Sequence, residues 1–308
     1  MPSAFKIIFL YIFSAIPLGT YAQAPTPVIT DYMNNARKLN NSTECIPILL
    51  VADSIAKSTN DMAGRAAVND QLGAYYYTMN ADKSIAYFQK ARKCYLVVDN
   101  KKRAALCLHN IAFAYQEQKK NIPEALKYTQ LAIKEQTALK DTLSQANMYK
   151  FLGMLQGKMH HYPEAKKSIG RSIMLFSLKS YSRGIAVAMR DLAMVYSDEH
   201  KMDSCIMNLL KAKEIWKGYT DTLRIFNLNN SLLDAYLLSN NPAKARDMIL
   251  ENREILTQKQ VYFKDKLDFY QSANKFFNKN KENNMADAFA RDYKILSDSL
   301  VREGINVQ

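Results

Sequence analysis

The chain has 308 residues, 48% of them hydrophobic, with only 9 glycines and 8 prolines, and 42 basic against 29 acidic side chains for a net charge of +13. That apolar content excludes a disordered polymer, and so few turn formers exclude a many-stranded sheet. A compact, mostly helical protein is expected.

In chain order, the first segment is an address and not part of a fold. Lys6 is the only charge before the apolar run from Ile7 to Leu18, which is shorter than the ~20 residues needed to cross a bilayer. Small residues follow in Thr20-Tyr21-Ala22, so residues 1–22 read as a secretory signal peptide cleaved after Ala22. No cysteine lies near that cut, which closes the lipoprotein route. The mature chain, 23–308, has no second long apolar stretch and is expected in the periplasm of a Gram-negative envelope or secreted, not lipidated and without a transmembrane segment.

From there one pattern recurs. An apolar residue, a small residue, two spacers and an aromatic appear as Leu72-Gly73 with Tyr76, Ile111-Ala112 with Tyr115, Leu152-Gly153, Leu192-Ala193 with Tyr196, and Leu232 with Tyr236. This column advances by 39, 41, 40 and 40 residues. A second element keeps step with it: Ser84 to Ala91, Ala125 to Ala132, Ala165 to Ser172, Cys205 to Ala212, and Ala245 onward. Apolar spacing of three and four, as in Ala105-Leu108-Ile111-Ala112-Tyr115, makes both elements amphipathic helices, so each unit is a helical hairpin. Pro123, Pro163 and Pro242 suit a helix start, and Asp141 and Asp221 suit N-caps. Weaker units at both ends bring the number to about seven, starting near 28, 66, 103, 143, 183, 223 and 262.

Leu-Gly-x-x-Tyr, followed by small residues seven apart, resembles the tetratricopeptide repeat (TPR), from about residue 28 to 300. The resemblance implies an all-α fold, a right-handed TPR-like superhelix (α-solenoid) of about seven antiparallel helical hairpins. The period of about 40, against about 34 in the standard repeat, is similar to the extended repeats of bacterial peptide-sensing regulators and of extracytoplasmic sensor regions in Bacteroidetes regulators. In the TPR family the first helices line a concave groove with the residues two before, two after and five after the apolar column. Carried over, these are Asp70, Ala74 and Tyr77, then His109, Phe113 and Gln116, then Lys150, Met154 and Gly157, then Arg190, Met194 and Ser197, then Asn230, Asp234 and Leu237. Aromatic, Met, Asn and basic residues together suit an extended peptide, whose main-chain amides need Asn-type partners. Reversing Lys150 and Arg190 together to Glu is then expected to weaken capture without unfolding the chain.

Catalytic signatures are missing. The glycines form no phosphate loop or dinucleotide fingerprint, and neither Gly-x-Ser-x-Gly nor His-Glu-x-x-His occurs. His160-His161 lack a Cys or acidic partner at ligand spacing. Neither an enzyme nor a cofactor or metal is expected. Cys45 and Cys205 occupy small-residue positions as buried thiols, while Cys94 ends one helix and Cys107 begins the next, a pair that antiparallel packing could bring within disulfide range. Residues 82–220 hold 24 basic and 12 acidic side chains, so the charge excess lies on the middle units. Solvated outer faces account for it; the alternative is a basic groove attracting acidic peptides, anionic glycan or lipid headgroups, with nucleic acid disfavoured by export. Asp53-Ser54-Ile55, Asp141-Thr142-Leu143, Asp221-Thr222-Leu223 and Asp298-Ser299-Leu300 resemble the site at which Bacteroidetes attach sugars to exported proteins. The functional expectation is a non-catalytic TPR scaffold that binds a protein or peptide in its groove. The alternatives are a detached ligand-sensing module of a membrane-linked regulator and an envelope protein that binds anionic glycan.

Overall fold

The computed structural model describes residues 24–39 and 42–302, so the expected signal peptide lies outside the described residues. Among the described residues there are fourteen helices and no strand. Six pairs of neighbouring helices form hairpins, the first three being α1 (Pro27–Lys38) with α2 (Ser42–Ser58), α3 (Met62–Tyr76) with α4 (Ala81–Val97), and α5 (Lys101–Glu117) with α6 (Ile122–Ala138); α7 (Thr142–Lys158) and α8 (Tyr162–Leu178) come next in the chain. Then follow α9 (Ser182–Asp198) with α10 (Met202–Gly218), α11 (Thr222–Leu238) with α12 (Pro242–Gln258), and α13 (Phe263–Lys279) with α14 (Asn283–Arg302). The fold is an all-α helical-repeat solenoid. The described residues divide into two compact units, one ending at Leu155 and the other beginning at Gln156.

Local chemistry at the turns sets the regular helix lengths. Non-glycine residues stand at positive φ at Lys120, Lys140, His160, Ser180, His200, Thr220 and Asn240, one every 20 residues, with φ between 50° and 60°. At the six from Lys140 onward the chain closes the preceding helix with backbone bonds of the Schellman type, as where Lys140 N donates to Thr137 O at 3.1 Å and Asp141 N to Gln136 O at 3.0 Å; after Lys120, Asn121 N donates to Tyr115 O at 2.9 Å instead. The next side chain often opens the following helix. Asn100, Asn121, Asp141, Asp221 and Asn241 accept from the N–H of Arg103, Glu124, Ser144, Arg224 and Lys244. One short connection therefore stops one helix and starts another, and hairpins of constant length result.

Leu72, Ile111, Leu152, Leu192 and Leu232 are each the eleventh residue of their helix. Leu72, Ile111 and Leu232 are fully buried. At Leu152 and Leu192 the side chain is half-buried, and Phe151 and Asp191, one residue earlier, take the buried place. The small residue beside the column permits close helix approach. A Cβ on Gly73 would meet the Phe88 ring at 2.7 Å, and Phe88 is fully buried. Gly73→Ala should therefore lower the unfolding free energy by about 1–3 kcal/mol, while Gly170→Ala, which meets nothing within 4 Å, should not. Urea denaturation of both variants checks this, and equal midpoints would mean that α3 and α4 do not approach this closely.

The second helices carry small residues at their fourth and eleventh places, such as Ala125 and Ala132 in α6 or Cys205 and Ala212 in α10. In α12 the eleventh place holds Asn252, fully buried. No disulfide joins Cys94 to Cys107; both lie in one buried cluster with Ala66, Ala91 and Tyr95. Burial pushes the Cys94 thiol up, and that of Cys107 far up, so both stay protonated and poorly nucleophilic.

Candidate functional site

In the first unit, the residues nine and thirteen places into α5 and α7 share one helix face: His109 with Phe113, and Lys150 with Met154. All four are half-buried. Around them runs a series of rings. Tyr77, the C-cap of α3, lies nearly parallel to Phe113 with centroids 5.5 Å apart; Phe113 sits 5.8 Å from Phe151, and His109 6.0 Å from the same ring. Burial, aided by the Lys150 ammonium, pulls His109 down to about 4, so its imidazole is neutral at pH 7. Tyr77 and Gln116 are themselves buried and support this face from behind. Asp70 is turned into the contact of α3 with α4 and α5, its side chain only 12% exposed. There Tyr95 OH donates to it at 3.4 Å and Arg103 lies 4.0 Å away. Burial pushes its carboxyl up to about 6 against the pull of Arg103 and Tyr95.

In the second unit, Met194 is 48% exposed on α9. Arg190 Nε and Nη2 donate to Oδ1 of the buried Asp191 at 3.1 and 2.7 Å. Charge reversal at Arg190 would place two carboxylates together, so the Lys150 and Arg190 reversal should also disturb folding. Asn230 Nδ2 donates to Asp265 O at 3.1 Å, and Asp234 Oδ1 accepts from Ser272 Oγ at 2.7 Å, which commits both residues to α13. A cleft of about 20 Å³ opens among Val187, Arg190, Trp216, Arg224, Asn227 and Leu228. The Arg224 guanidinium lies over the Trp216 ring at 5.4 Å. The carried-over groove residues thus fall into an aromatic group in one unit and a polar group in the other. Sequence reasoning missed Phe151, Trp216, Arg224 and Asn227. Phe151 directly precedes the column and Trp216 is the single tryptophan, the two signals that were available.

No helix among the described residues is long and apolar enough to cross a membrane. No group of three His, Cys, Asp or Glu able to hold a metal ion occurs among them. No family model and no curated relative matches the sequence. Solved structures do match. The apo form of RapI aligns with a TM-score of 0.66 at 12% identity over 89% of this chain and 99% of its own. A Rap protein complexed with Competence and Sporulation Factor gives 0.60 at 17% identity, covering 91% and 78%. A Podosopora anserina kinesin light chain with nearly identical TPR-like repeats gives 0.52 at 14%, covering 64% and 98%. The fold is TPR-like. At these identities the likeness establishes the fold alone.

Proposed function

We propose that this protein is an exported, non-catalytic TPR scaffold that binds a protein or peptide along the first-helix face of its repeats, with residues 1–22 removed and 23–308 forming the scaffold in the periplasm or outside the cell. The observation that carries the reading is the ring series Tyr77, Phe113, Phe151 and His109 across α3, α5 and α7. The buried Tyr77 and Phe151 hold the half-buried Phe113 and His109 in place, so these two rings present their apolar area with little rotamer freedom left to lose, which is what a binding hot spot needs. The neutral His109 adds one donor and one acceptor for a main-chain amide without the cost of burying a charge. Export rests on the apolar leader Ile7 to Leu18. The Rap fold, solved in complex with Competence and Sporulation Factor, supports a binding role, and the forty-residue spacing favours a sensing module that reports to a membrane-linked regulator in trans.

A second reading, capture of anionic glycan, is favoured by one observation. Tyr76 stacks on Tyr87 and Tyr115 on Tyr128, with Lys83, Lys90 and Lys127 over the Tyr76, Tyr87 and Tyr128 rings. Rings and ammonium groups of this kind suit sugars bearing acidic substituents.

The test is capture from envelope extract on immobilised protein, followed by mass spectrometry and titration of the captured species. Phe113→Ala should weaken capture by about tenfold or more, with the circular dichroism spectrum unchanged. Sulfated dextran should not compete. Undiminished capture by the folded variant, or loss of capture to dextran alone, would exclude the ring face as the protein-binding site.

A further inference from the structure

The second helices of the first unit, α2, α4 and α6, meet solvent at the same places. Places six, nine, ten, thirteen and seventeen of each are exposed. None of these places carries an acid. Lys90 and Lys93 stand there on α4, and Lys127 and Lys134 on α6. With them are Leu50 and Val51 on α2, Val97 on α4 and Leu131 on α6, between 42% and 67% exposed. The fold itself does not demand this composition. The same places hold Glu214 in α10 and Asp247, Glu251 and Glu254 in α12, so an equivalent helix accepts acids there.

Contacts between the helices join these residues into one face. Arg92 of α4 pairs with Glu135 of α6, and Gln89 Nε2 donates to Tyr128 OH at 3.5 Å, so α4 and α6 lie side by side. Tyr87 of α4 packs against the buried cluster that holds Leu49 and Ala52, which sets α2 beside α4. Lys127 has Glu124 at 3.2 Å, whereas Lys90, Lys93 and Lys134 have no acid in ion-pair range among the described residues. Lys90 and Lys93 stand three residues apart on one helix, where like charges repel. A positive excess of this kind is complementary to a negative surface. The aliphatic members decide which kind. A soluble polyanion offers leucine and valine nothing, whereas at a lipid interface lysines reach the phosphates and aliphatic tips enter the acyl boundary.

We infer that the solvent face of α2, α4 and α6 docks on an anionic membrane surface, with its four lysines at the lipid phosphates and its exposed leucines and valines at the acyl boundary. Attachment is peripheral, since no described helix is long and apolar enough to cross a membrane. The ring series that carries the peptide reading has Phe113 on α5, a first helix, so the two surfaces stand or fall separately.

Flotation of the purified protein with lipid vesicles tests this. Vesicles of phosphatidylcholine and phosphatidylglycerol in equal parts should carry the protein up the gradient, and vesicles of phosphatidylcholine alone should not. Salt at about 1 M, where the screening length falls to roughly 3 Å, should release most of it. Lys90→Gln with Lys134→Gln should lower the partition coefficient by about 25-fold, roughly fivefold for each lysine. Val51→Ser with Leu131→Ser leaves the charge unchanged and should still lower it by about fivefold or more. All four side chains are exposed, so the circular dichroism spectrum should not change. Should the lysine pair fail to fold, Lys93→Gln with Lys127→Gln probes the same patch. Equal flotation with neutral vesicles, no flotation with either kind, or an unchanged partition coefficient in the folded lysine variant overturns the docking face. An unchanged coefficient in the serine variant, or binding to sulfated dextran without binding to vesicles, would make the ligand a soluble polyanion and overturn the membrane assignment. Capture that depends on Phe113 would survive any of these results.

Discussion

Asn252→Ala should destabilise the second unit by about 3 kcal/mol, although it restores the small residue that the repeat carries at this place in α4, α6 and α10. Asn252 Oδ1 accepts from Asn229 Nδ2 at 2.9 Å, and its Nδ2 donates to Asn230 Oδ1 at 2.7 Å and Phe226 O at 3.2 Å. Asn229 and Asn252 are fully buried, so the alanine variant strands an amide donor away from water and leaves a void besides. Each orphaned group costs roughly 1–3 kcal/mol, and the removed atoms add a packing term. Adding Asn229→Leu removes the stranded donor and should recover part of the loss, because two apolar groups do better there than half a hydrogen bond. Urea unfolding followed through Trp216 measures both variants. A single alanine variant within about 0.5 kcal/mol of the parent, the range of an indifferent surface change, would mean that the three asparagines do not form a network.

Asp70→Asn and His109→Gln should tilt the pH profile of stability in opposite directions. Burial pushes Asp70 from 3.8 up to about 6, so between these values the folded chain holds a proton that the unfolded chain has released. Its contribution is present at low pH and is lost as pH rises through about 6. Burial and Lys150 pull His109 from 6.5 down to about 4, so over that window the unfolded chain holds the extra proton. Its contribution is present above 6.5 and is lost as pH falls through about 4. Each shift corresponds to at most about 3 kcal/mol at 1.36 kcal/mol per unit, and the two oppose each other between pH 4 and 6. In the parent these two contributions should therefore nearly cancel over this range. With Asp70→Asn, stability should climb with pH from 4 to 6, and the variant should exceed the parent above pH 6, offset in part by weaker contacts to Arg103 and Tyr95. His109→Gln should show stability falling over the same interval. Denaturation curves at pH 4, 5, 6 and 7 decide the matter, and two variants that stay parallel to the parent would refute the assignment of either group.

The repeat was legible because its causes are local. A helix face needs apolar residues three and four apart, a close helix approach needs Gly73 or Ala112, and a turn needs a cap such as Asp141 or Asp221; each requirement leaves a mark within a few residues. The places of Leu72, Ile111, Leu152, Leu192 and Leu232 in their helices could thus be read from spacing. Positions on the first-helix face were legible only as positions. Spacing put Asp70 and His109 in equivalent places, yet one is drawn into a contact with Arg103 and Tyr95 and the other stands against Phe151.

The amino-acid sequence alone determined helices, their pairing and their period, since hydrophobic periodicity and capping act over a turn or two of chain. Tertiary structure alone decided which polar side chains meet. Asn252 with Asn229, and Arg224 with Trp216 and Arg190, are brought together across separate helices, and no periodicity within one helix encodes the partner that a buried polar group will find on another.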